Sequence, residues 1–62
     1  METQLWLLYD GRYRTNEDRA MVYEVCNSLR EAEENASDYG TDTVIVEVTV
    51  KGKIFHNPKI LN

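Results

Sequence analysis

Sixty-two residues make one domain, residues 1–62, near the lower limit at which a chain buries enough surface to fold alone. Cys26 is the single cysteine, which excludes an intramolecular disulfide, and no cluster with zinc-ligand spacing replaces it as a staple. Eleven acids against seven bases leave a net charge of −4, which argues against a general nucleic-acid module, since those are as a rule strongly basic.

The first eleven residues, METQLWLLYDG, lack a basic leader and carry only a short apolar run. They read as neither a signal peptide nor a membrane span, so the expected location is cytoplasmic and no membrane partner is expected. Residues 5–9 are apolar on both alternating sides, with Leu5, Leu7 and Tyr9 on one and Trp6 and Leu8 on the other, which predicts a first strand. One helix covers one side of a small sheet, so Trp6 and Leu8 are expected to need a second cover. A second chain is the simplest one, as a homodimer or an obligate partner complex.

Asp10-Gly11 opens a polar segment in which Arg12, Tyr13 and Arg14 alternate guanidinium and aromatic groups. That is the local chemistry of base stacking and phosphate contact. Glu17 and Asp18 follow at once in an acidic chain, so the segment reads as a strand extension with exposed arginines. A nucleic-acid-binding regulator using Arg12, Tyr13, Arg14 and the C-terminal lysines Lys51, Lys53 and Lys59 is the second functional reading.

Residues 20–26, rich in β-branched and aromatic side chains, predict a second strand. Ser28 and Glu31 then stand in the S-x-x-E spacing of a capping box; Leu29, Ala32, Ala36 and Tyr39 form a narrow apolar stripe; Gly40 stops the helix. A rival reading, one long helix beginning near Asn16, draws on Val22 and Val25 continuing the same spacing. Asn27-Ser28 is a poor helix interior and a good cap, which favours strand followed by helix.

Residues 43–50 are the clearest strand, with Val44, Val46, Val48 and Val50 on one face. That valine face is expected to floor the helix under Leu29, Ala32 and Ala36. Lys51-Gly52 predicts a tight hairpin into a short fourth strand, residues 53–56, ended by Asn57-Pro58. Ile60 and Leu61 either fold back as a plug or dock on another subunit. With Trp6 and Leu8 they make up the expected interface.

The inventory for catalysis is poor: one His, one Cys, no Gly-rich phosphate loop and no nucleophile elbow. Cys26 reads as a small half-buried residue at a strand end and His56 as an exposed polar one. No enzymatic activity, cofactor or metal is expected. Charge is unevenly spread, with six acids and no base over residues 31–47, then three lysines and no acid over residues 48–62. Glu31, Glu34 and Asp38 stand three and four apart, so they are expected to share an outward stripe facing the basic residues of a protein partner.

The fold class is therefore α+β, a small antiparallel sheet with one helix on one face in the order β-β-α-β-β. In size, acidity and strand-helix-strand order the chain resembles the small single-domain proteins encoded by phages and other mobile elements, some of which bind and block host enzymes. The resemblance spans the whole chain, carries no diagnostic motif and transfers no functional residue. It implies a small non-enzymatic protein-binding module, an inhibitor or regulator docking on a host nucleic-acid-handling protein.

Overall fold

The computed structural model describes residues 2–62. Strands β1 (Glu2–Tyr9), β2 (Val22–Cys26), β3 (Val44–Lys51) and β4 (Ile54–Ile60) surround a single α-helix, α1 (Leu29–Tyr39), inserted between β2 and β3. The sheet runs β2-β1-β3-β4 with every neighbouring pair antiparallel, the expected small α+β fold.

The helix starts and stops at the residues that carry its signals. Ser28 is extended (φ −146°) and its hydroxyl accepts the Glu31 amide at 3.1 Å, a cap whose loss costs about 1 kcal/mol. Gly40 ends the helix at φ +125°, a conformation an L side chain rarely adopts. The long-helix alternative fails at Asn27-Ser28, where the backbone leaves β2 and the cap begins.

Each face of the sheet has its own core. Leu8, Cys26 and Ile45 are buried with Ala32 of α1, joined by Trp6, Ala36 and Leu61. Leu7, Val44, Val46 and Val48 form the opposite cluster, with Leu5, Tyr9, Tyr13 and Val50 packed against it. The helix thus lies on the Leu8–Ile45 face, and the expectation that the valine face floors it is overturned. The reason is topological. β2 and β3 are both antiparallel to β1 and hence parallel to each other, so α1 is a crossover connection. The hand of a crossover selects its face, whatever the valine count. Alanines at 32 and 36 let the helix backbone approach closely enough for the larger Leu8, Trp6 and Ile45 to fill the layer between.

Three local expectations also change. Gly11–Thr15 is a 3-10 helix and no strand extension: the Asp10 carboxylate accepts the Arg12 amide at 2.9 Å, and the Tyr13 ring packs on Tyr9 with centroids 4.4 Å apart. β4 runs on through Asn57-Pro58 to Ile60, because Asn57 takes φ +53° where the β3–β4 register shifts between Glu47 and Thr49. A bulge on an edge strand is where a missing proline N–H is tolerated. The hairpin turn sits one residue later than expected, at Gly52-Lys53 between the paired Lys51 and Ile54, with Gly52 at φ +63°. A left-handed first turn residue followed by an ordinary one fits a type II′ hairpin.

The chain end folds back as a plug. Leu61 donates its amide to the Ile45 carbonyl at 2.9 Å. The Asn62 side chain continues the ladder, accepting from the Ile45 amide at 3.0 Å and donating to the Thr43 carbonyl at 2.9 Å.

Candidate docking surface on the acidic helix

Two alanines facing the sheet turn the charged positions of α1 outward. The helix carries four acids against one base, a net charge of −3 over its eleven residues. Glu33, Glu34 and Asp38 are exposed, and Arg30 reaches Glu34 at 3.2 Å, an i,i+4 pair in open solvent that contributes little. Asp38 stands in the last turn, where no basic residue accompanies it. There the macrodipole disfavours a negative charge.

Along the Glu33 flank of the helix runs a cleft of about 310 Å³ lined by Leu29, Glu33, Ile45, Leu61 and Asn62. Its floor is apolar and one wall carries a carboxylate. That geometry suits the methylene stem of a lysine or arginine with its charged head at the rim.

The three acids expected to share a stripe divide. Glu34 and Asp38 face solvent, whereas Glu31 is half-buried and turned toward β2. There its carboxylate, that of Glu24 and the Cys26 thiol offer ligand atoms within 4.8 Å of one another, the grouping through which a metal would be held. As folded, the chemistry of the group is hydrogen bonding. Glu24 accepts from the Tyr39 hydroxyl at 2.9 Å, from the Cys26 thiol at 3.3 Å and from the Asn35 amide. These donors, Tyr39 first, hold its carboxyl below the usual glutamate value. Burial, with the Glu24 carboxylate as the next cause, pushes the Cys26 thiol up to about 11, so it stays protonated and unreactive at neutral pH.

Glu24 and Glu33 are the residues that reading by spacing passes over. For Glu24 the signal was a single acid in the middle of an apolar run, residues 21–26, at a position that alternation sets on the same face as Cys26. For Glu33 it was adjacency to Glu34 on the polar side of the helix.

Of the four side chains expected at a subunit interface, Leu8 is fully buried beneath α1, and Trp6 and Leu61 pack in the same cluster. Trp6 donates its indole N–H to Glu47 at 3.1 Å. Their cover is the helix of their own chain, and Ile60 stands on the opposite face. It is exposed there, paired with Val46.

The residues of the second functional reading are also scattered. Arg12 is tied to Asp10 by a 2.7 Å ion pair, Tyr13 packs into the valine-face core, and Arg14 is exposed. Lys51 pairs with Glu2 at 3.0 Å, while Lys53 and Lys59 lie exposed in the hairpin turn and on β4. Cys26 on β2 and His56 on β4 belong to the two opposite edge strands, roughly 14 Å apart at the usual strand spacing. They form no dyad.

Among the described residues no helix is long and apolar enough to cross a membrane. Comparison with protein-family models, with curated proteins and with solved structures returned no match.

Proposed function

We propose that this chain is a non-enzymatic protein-binding module that docks the acidic face of α1 on a basic surface of another protein. The observation that carries the reading is Glu34 and Asp38, one turn apart and exposed on α1, together with Glu33 on the flank of the helix, where it walls an apolar-floored cleft. Negative charge on this helix steers the encounter, and the cleft gives a long basic side chain somewhere to bury its stem. Glu31, on the β2 side of the helix, adds to the negative charge of α1. An inhibitor or regulator of a cytoplasmic nucleic-acid-handling protein is the partner class that fits best, because such proteins display basic surfaces that an acidic module can occupy.

The nucleic-acid alternative has weaker support, since Arg12 and Tyr13 are engaged within the fold. Capture from source cells after nuclease treatment separates the two. The proposal expects one stoichiometric protein, insensitive to nuclease, that a Glu33→Gln, Glu34→Gln, Asp38→Asn bait fails to retain. DNA or RNA recovered without a protein would overturn it.

A further inference from the structure

The charges of this sheet are segregated by face. Register fixes which side chains share a side: Leu7 stands opposite Val25 and Val46, Tyr9 opposite Val22 and Val44, Val50 opposite Thr3 and Phe55, and Val46 opposite Ile60. Among the described residues no paired strand position on that face carries a charge. The helix-covered face holds them all: Glu2 opposite Lys51, Glu24 opposite Leu8, and Glu47 opposite Trp6 and Lys59.

Among the described residues no second α-helix covers the other face. The 3-10 helix closes its Tyr9 end through Tyr13, and the central strip of Leu7, Val44, Val46 and Val48 is buried by its neighbours. Toward both edges the face stays open, and Val22, Val25, Phe55 and Ile60 are 41 to 54% exposed.

We infer that this face is where a second copy of the chain packs, sheet against sheet. Two observations select a copy of the same chain over another partner. A two-fold contact lays a patch on itself, so every charge on it meets or nears its own kind; the paired strand positions of this face carry none. The molecule carries −4, so two copies repel, and this face is where they approach at least cost. Two antiparallel sheets with β-branched inner faces stack about 10 Å apart as in a sandwich. In that assembly the two acidic helices lie on opposite outer surfaces, so the dimer offers its docking surface twice.

The test is light-scattering mass across a dilution series, with lysine placed at the two half-exposed edge positions. The wild-type protein moves from 7.2 kDa toward twice that mass as concentration rises. Val25→Lys and Phe55→Lys each weaken association by about tenfold or more, because a charge is forced into an apolar contact. Amide shifts of the undiluted and diluted wild-type protein supply a readout free of any variant: those of Val22, Val25, Phe55 and Ile60 move, and those of α1 do not. A mass of 7.2 kDa at every concentration, a dimer indifferent to both lysines, or dilution shifts confined to α1 would each overturn the inference. So would a different protein bound on this face of a chain that is itself monomeric.

Discussion

Tyr39, the last residue of α1, donates its phenolic hydrogen to Glu24 of β2 at 2.9 Å while its ring lies flat on Tyr23, centroids 4.7 Å apart and planes 7° from parallel. A register shift explains how one side chain reaches both. Leu8 pairs with Glu24 and Tyr9 with Val22, so Tyr23 is the extra residue of a bulge, and it reaches the helix side beside Glu24. Asn35, one turn earlier on α1, also donates to Glu24, so two helix positions are clamped to one edge strand.

Replacing Tyr39 by Phe keeps the stacked ring and removes the leading cause of the Glu24 shift. The Glu24 carboxyl should then titrate closer to the ordinary glutamate value. Side-chain carboxyl shifts followed by NMR through an acid titration read this directly, and an unmoved Glu24 would mean that the hydroxyl contributes nothing to it.

Asp10 governs acid stability. It caps the 3-10 helix, pairs with Arg12 and accepts the Met21 amide at 2.9 Å, and these contacts, the Arg12 side chain first, pull its carboxyl down to about 2 from 3.8. Both Asp10 and Glu24 are depressed on folding. Their contribution is therefore fully present above the unfolded carboxylate values and is lost as pH falls through the folded ones. Thermal midpoints should drop most steeply between about pH 4 and 2. Asp10→Asn should lower the midpoint at neutral pH and flatten that acid limb.

Leu8 and Val25 predict unequal responses to truncation. Leu8→Ala opens a cavity beneath α1 at a cost of about 2–5 kcal/mol, comparable with the whole ~5 kcal/mol expected of so small a domain. The variant should be largely unfolded by far-UV dichroism. Val25→Ala, on the open face, should cost about 0.5 kcal/mol in dilute solution. Equal losses at the two positions would contradict the assignment of the faces.

Asp38 predicts a trade between stability and binding. It opposes the helix dipole, so Asp38→Asn should stabilise the isolated protein by about 0.3–1 kcal/mol, read as a higher urea midpoint, while slowing association with the captured protein. A variant that gains stability and binds as fast as the wild type would remove Asp38 from the docking surface.

The elements were legible because their signals are local. Ser28, Glu31 and Gly40 bound the helix, and the alternation of Val44 through Val50 marks β3, each within a few residues of sequence. Which face the helix covers depends on the crossover from β2 to β3 past β1, a non-local property that no spacing of valines encodes. The same limit hid the cover of Trp6 and Leu8, which look uncovered until α1 is known to lie on them. Pro58 read as a stop because its missing N–H is a local fact, while the bulge that absorbs it depends on β4 being an edge strand. The acidic helix was visible in composition. Glu31's turn inward was not, because it depends on where Glu24 and Cys26 come to rest.

The most direct test of docking by the acidic helix is the salt dependence of association. It compares the wild-type chain with a Glu33→Gln, Glu34→Gln, Asp38→Asn variant against the protein that the wild type captures. The wild type should associate several-fold faster at low salt, the two rates should converge as salt rises, and dissociation should change little. Equal association rates at every salt concentration, with any loss confined to dissociation, would contradict it.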